Sequence, residues 1–182
     1  RYLPKGFAMW RTKDKIFYIL YAISAKWLPE SRHLKLAKRL RAFWARRIIH
    51  SMGSNVNVEH GAFFTPDVCI GNDSGIGTNC ELNGPVTIGS NVMMGPECVF
   101  YTRNHKHDID AGLPFGKQGF TELQPVIIGN NVWSGRRAMF MPGSGVGDNC
   151  VVAAGAVVTN RFPSNVTDGG VPAKIIQKEK AL

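Results

Sequence analysis

Large apolar residues recur at every sixth position along most of the chain. They stand at Val58, Phe64, Ile70, Ile76, Leu82, Ile88, Met94 and Phe100, and again at Ile128, Phe140, Val146, Val152 and Val158, with Ser134 the polar exception. Two residues before each step comes a slender side chain: Val56, Ala62, Val68, Ser74, Cys80, Val86, Val92 and Cys98, then Val126, Val132, Ala138, Ser144, Cys150 and Ala156. Neither the 3.6-residue period of a helix nor the two-residue alternation of a strand produces this rhythm. A short fixed period marks a solenoid, and six-residue steps mark a parallel β-helix. Each step supplies a short strand and a corner. Three steps close a roughly triangular coil, and coils stack about 4.8 Å apart. Glycine follows the large residue at Gly71, Gly77, Gly89, Gly95, Gly129, Gly135 and Gly147, where a corner calls for positive φ or close backbone approach.

The first 50 residues carry a different pattern. One helix is expected from about Thr12, a candidate N-cap, through residues 16–27 to a stop at Pro29. A second is expected from near Ser31 to about Ser51, with Leu36, Leu40, Phe43, Trp44 and Ile48 along one face. Charge sharpens the division. Residues 1–50 hold 13 of the 22 Lys+Arg and 2 of the 13 Asp+Glu, a net of +11, so the rest of the chain carries −2. Two readings fit this segment and are compatible. The helices cap the open end of the solenoid, or their basic amphipathic surface rests on anionic lipid. Their apolar stretch is too short to span a bilayer. No nucleic-acid motif accompanies the charge, so a nucleic-acid partner is not expected. The expected domains are a basic helical segment over 1–52, a solenoid over 53–176 with a loop at 101–125, and a tail over 177–182.

At 44% apolar and 19% charged residues the chain reads as soluble and globular. Three of its four cysteines, Cys80, Cys98 and Cys150, fall on slender inward positions, and with Cys69 they match no zinc spacing and suggest no disulfide framework. A reducing cytoplasmic location is expected, with peripheral association at the inner membrane face if the helices bind lipid. The sequence starts at Arg1 instead of Met, which fits a trimmed N-terminus.

Between Phe100 and Ile128 the ladder loses register, so a loop of about two dozen residues must leave the solenoid there. Long loops on compact repeats carry function. This one contains Tyr101-Thr-Arg-Asn-His105 and His107. Downstream come Ile128-Gly-Asn-Asn-Val-Trp133, Pro142-Gly, and Gly169-Gly-Val-Pro-Ala-Lys174-Ile-Ile. In order and spacing these stretches resemble the left-handed β-helix acetyltransferases of the galactoside, maltose and polysaccharide O-acetyltransferase group. The resemblance covers residues 58–176, and it leaves the first 50 residues uncovered.

The resemblance implies a homotrimer with acetyl-CoA in a slot between neighbouring solenoids, a saccharide acceptor, and no metal. His105 aligns with the catalytic histidine. An imidazole titrates near operating pH and can take the proton of a hydroxyl, a poor nucleophile until then. No covalent acyl-enzyme is needed when both substrates are held together. Asp108, and after it Glu122, are the candidates to orient that ring. Asn79 and Asn83 compete for positioning the acceptor, and His107 is a loop or acceptor-site residue. For the cofactor the carried-over positions are Arg136, Ala154, Thr159, Asn160 and Lys174, with cations serving phosphate. Ser134 stands where the family usually has isoleucine, and Asn160 replaces a commoner lysine. Other readings are a non-catalytic solenoid scaffold, or transfer to an amino-sugar nitrogen. A zinc-dependent carbonic anhydrase on this solenoid needs three histidine ligands, and His33, His50, His60, His105 and His107 lack that spacing. A nucleotidyltransferase would need a further nucleotide domain, for which the chain leaves no room.

Overall fold

In the computed structural model, which describes residues 10–178, the six-residue rhythm forms three parallel faces around one core. Residues 1–9 of the expected helical segment and 179–182 of the expected tail lie outside the described residues. The first face stacks Ser51–Met52, Cys69–Ile70, Val86–Ile88, Val126–Ile128, Gly145–Val146 and Arg161–Phe162. A second stacks Phe63–Phe64, Glu81–Leu82, Val99–Phe100, Met139–Phe140 and Val157–Val158. The third starts with Asn57–Val58 beside Gly75–Ile76 and continues through Met93–Met94, Trp133–Ser134, Val151–Val152 and Val166–Gly170. It ends in an antiparallel hairpin with Ala173–Lys178, a strand that runs past residue 176 into the expected tail. The solenoid is the parallel β-helix that the ladder predicts.

The ladder side chains fill the axis. All the large ones are buried except Met94, which is partly buried, and every slender one is buried. Ser134 is buried too, its Oγ 3.5 Å from Cys98 Sγ, so the polar step is partnered within the core. Phe100 pairs with Phe140 across the excursion, and their rings stack at 4.5 Å and 10°. The loop therefore leaves and returns without disturbing the column.

The corners differ from the glycine reading. The seven ladder glycines are not the residues with positive φ. Outside the glycines those are Asn55, Asp73, Asn91, Asn131, Asn149 and Asn165 at one corner, and Asn79, Glu97 and Arg137 at another, which Gly61 and Gly155 extend. Asparagine tolerates the left-handed region because its short side chain bonds locally. Here the amides also bond from coil to coil, Asn131 Nδ2 to Asn149 Oδ1 at 2.9 Å and Asn149 Nδ2 to Asn165 Oδ1 at 3.0 Å. The ladder glycines serve close approach instead. A Cβ on Gly135 would sit 2.5 Å from Ala154 N, and one on Gly71 would sit 2.6 Å from Ser90 Oγ.

Two helices cover the first coil: α1, Thr12–Ser24, and α2, Lys35–Ile48. α1 starts one residue after Arg11, whose N–H donates to Asp14 Oδ2 at 3.2 Å. Tyr21 donates from its hydroxyl to Ala62 O at 2.9 Å. α2 begins later than residue 31 because Ser31 is used elsewhere, donating from N to Glu59 Oε2 (2.9 Å) and from Oγ to Asn57 Oδ1 (2.8 Å). The fully buried Arg41 locks the junction. It donates to Val58 O at 2.6 Å, Leu28 O at 3.0 Å and Pro29 O at 3.1 Å, and pairs with Glu59 at 3.4 Å.

Candidate active site

The excursion is pinned at both feet. Thr102 Oγ1 donates to Asn83 O at 2.7 Å, Gln124 N to Thr102 O at 2.7 Å, and Gly143 N to Gln124 O at 3.1 Å. Above this clamp the chain rises as an irregular hairpin. Thr121 N donates to Asn104 O at 2.8 Å and Lys106 N to Gly119 O at 3.0 Å, which sets His105 opposite Phe120. The tip is tied by Gln118, which donates from Nε2 to Asp108 O and Leu113 O and accepts from Asp108 N.

His105 is exposed and lies against Phe120, with ring centroids 4.2 Å apart. The Arg103 guanidinium covers the same phenyl ring at 4.1 Å. Phe120 thus supports the imidazole, a role that spacing alone gave no means of assigning. Asp108, expected to orient His105, instead accepts from Asp110 N at 2.9 Å and caps the short turn Ile109–Ala111. Glu122 is exposed, and among the described residues neither carboxylate bonds to His105. His107 is exposed further out on the same loop.

Asn79 and Asn83 lie together. With Lys26, Trp27, Phe63 and Glu81 they line a depression of about 410 Å³ on the second face, beside the foot of the excursion. Asn79 is also a corner residue, with φ 53° and its N–H donating to His60 O at 2.8 Å. Lys26 Nζ is 4.9 Å from the Trp27 ring centroid, and partial desolvation pushes its pKa down while Glu81 opposes that. Lys26 and Trp27 escaped the sequence reading because no periodicity says which coil the segment after α1 will touch.

The cofactor candidates follow two corners. Gly155 N donates to Arg136 O at 2.9 Å, which sets Ala154 one coil beyond Arg136. Ala153 N donates to Asp168 O at 2.8 Å, and Gly169 pairs with Lys174 on the terminal hairpin. Arg136, Ala154 and Lys174 are therefore exposed along one edge, floored by small residues. Thr159 and Asn160 are exposed at the next corner, with Asn160 Nδ2 donating to Thr159 Oγ1 at 3.3 Å. Arg136 is not an unengaged cation. It pairs with Glu97, as does Arg137 at 2.6 Å, and the two guanidiniums hold that carboxyl below the usual range.

Two further groups bear on the chemistry. The Cys98 thiol is pushed down by its hydrogen bonds with Cys80 and Ser134, yet it is fully enclosed and out of reach of a substrate. Among the described residues no group of three His, Cys, Asp or Glu side chains converges as a metal site, and His60 Nδ1 is 3.0 Å from Leu28 O.

The comparisons with known proteins agree with this architecture. The bacterial transferase hexapeptide family (six repeats) matches residues 125–160. Galactoside O-acetyltransferase of Escherichia coli is 32% identical over 143 residues, covering 73% of this chain and 66% of that protein. The Escherichia coli protein WcaF, provisionally named a colanic acid biosynthesis acetyltransferase, is 27% identical over 182 residues, covering 97% and 93%. Among solved structures, a galactoside acetyltransferase in complex with coenzyme A superposes with a TM-score of 0.78 at 27% identity, over 93% of this chain and 80% of that one. The first four curated relatives, at 32% to 42% identity, are spanned over only 43% to 66% of their length. Stacked six-residue coils, the single excursion and these likenesses together show that the chain belongs to the hexapeptide-repeat acetyltransferase family.

Proposed function

We propose that the protein is an acetyl-CoA-dependent O-acetyltransferase acting on a saccharide hydroxyl, with His105 as its general base. One observation carries the reading: an exposed imidazole, braced by Phe120, stands on a loop whose foot is bonded to Asn83 at the edge of the Trp27–Asn79–Asn83 depression. The depression suits a sugar. It offers an exposed indole for a pyranose face, side-chain amides, a carboxylate and an ammonium for hydroxyls. His105 accepts the hydroxyl proton as the oxygen attacks the thioester carbonyl, and gives it to the departing thiolate. The rate gain comes from holding the two substrates side by side, so no covalent enzyme intermediate is invoked.

The edge carrying Arg136, Ala154 and Lys174 fits coenzyme A as co-substrate. Small residues leave backbone amides open to pantetheine, and Lys174 is an exposed cation suited to phosphate. Exposed Met93 and Trp133, paired in register on the third face, fit a contact with a neighbouring solenoid in a homotrimer. The test is release of free thiol from acetyl-CoA across a panel of oligosaccharides, amino sugars and non-sugar alcohols. The reading predicts turnover with a hydroxyl acceptor. Coenzyme A binding without turnover on any acceptor supports a scaffold instead, and turnover confined to amines supports N-transfer.

A further inference from the structure

We propose that the outer faces of α1 and α2 form a docking surface for an anionic lipid bilayer. On α1 the sides are sharply divided. Tyr21 is buried against the first coil, bonding Ala62 O, while Ile16, Ile19 and Ile23, at i, i+3 and i+7, are 52%, 59% and 75% exposed on the opposite side. Exposed Lys13 and Lys15 flank this isoleucine stripe. α2 repeats the arrangement. It buries Ala37, Arg41, Ala45 and Ile48, and turns Leu36 and Phe43 outward, 57% and 45% exposed. Beside them stand exposed Lys35, Arg39 and Arg47, with the Arg47 guanidinium 3.5 Å from the Phe43 ring centroid.

Capping the solenoid explains the buried sides only. A cap needs a polar outer face, and this outer face instead alternates cations with branched and aromatic apolar groups, the composition of a helix lying in a membrane interface. Charge decides the occupant. Residues 1–50 carry a net of +11 and the rest −2, so attraction to an anionic surface is concentrated in the segment that holds the two helices. Among the described residues no helix is long and apolar enough to cross a bilayer, so the surface rests on lipid without spanning it. The proposal is independent of the acyl-transfer reading, because vesicle binding and thiol release are measured separately.

The experiment is co-sedimentation of the whole chain with vesicles of phosphatidylcholine, alone or mixed with phosphatidylglycerol, at low and high salt. Binding is expected to the mixed vesicles only, and to weaken steeply as salt rises. Replacing Lys13, Lys15, Lys35 and Arg39 by Gln is expected to weaken it roughly five-fold per cation. Ile19→Ser with Ile23→Ser is expected to weaken it at least ten-fold with thermal stability unchanged, since both side chains are exposed. Equal binding to neutral vesicles, or none to mixed ones by the wild-type chain, overturns the proposal. So does an Ile19→Ser/Ile23→Ser variant that loses its oligomeric state while vesicle binding stays, which identifies a second copy as the occupant. Competition by duplex DNA as effective as that of the mixed vesicles also overturns it.

Discussion

Residue by residue, the chemistry of this molecule depends on which polar groups are buried and which are displayed. Asp168 occupies an inward position beside Val152, is fully buried, and neither carboxylate oxygen has a hydrogen-bond partner. Desolvation pushes its pKa up to about 6 from the ordinary 3.8. A raised carboxyl pKa means the folded state binds the proton more tightly than the unfolded chain. Stability from this group is therefore full below about pH 4, falls between about 4 and 6, and stays low above. Asp168→Val should raise the melting temperature at pH 7.5, recover on the order of 2 kcal/mol, and flatten the profile between pH 4 and 6. An unchanged profile would show that the carboxyl finds a partner in the assembled protein. At the depression, Trp27→Ala should raise the KM for the acceptor roughly ten-fold while leaving that for acetyl-CoA unchanged, as loss of a stacking platform requires. An equal rise in both would remove Trp27 from the acceptor site.

Elements show how far pattern alone reaches. The inward ladder was legible because one side chain every six residues must fill the axis, and the excursion because its length breaks that count. The corner chemistry was less so. Sequence reading offered the ladder glycines positive φ or close backbone approach, and it is close approach that they serve, while Asn, Asp, Glu97 and Arg137 are among the corner residues that adopt positive φ. That the helices could cap the open end was legible, but their individual contacts were not, since amphipathicity says that a face is buried and not against which groups. Arg41, which the sequence analysis did not single out, holds three backbone carbonyls with its guanidinium at the junction with the first coil. Arg41→Met should cost about 3 kcal/mol, seen in chemical denaturation, because those carbonyls and Glu59 are left without their donor. A loss under about 0.5 kcal/mol, as for a surface site, would show that the helices hold without it. In the excursion, Phe120→Ala should lower kcat several-fold with little change in melting temperature, since it loosens His105 without touching the core.

Over the whole molecule, a rigid prism and a basic helical cap divide the work. The prism sets distances, the excursion presents the imidazole, and the cap supplies Lys26 and Trp27 to the depression. Motif order in the sequence pointed to His105 and to the Arg136, Ala154 and Lys174 edge. It could not reveal that Asp108 is spent on capping a turn, because that depends on a loop conformation no repeat dictates. The central claim is that His105 removes the acceptor proton, and single-turnover and steady-state thiol release by His105→Ala tests it most directly. With coenzyme A affinity and melting temperature intact, the account predicts that acceptor-dependent release falls by about 10²–10⁴. Wild-type turnover in that variant would contradict it.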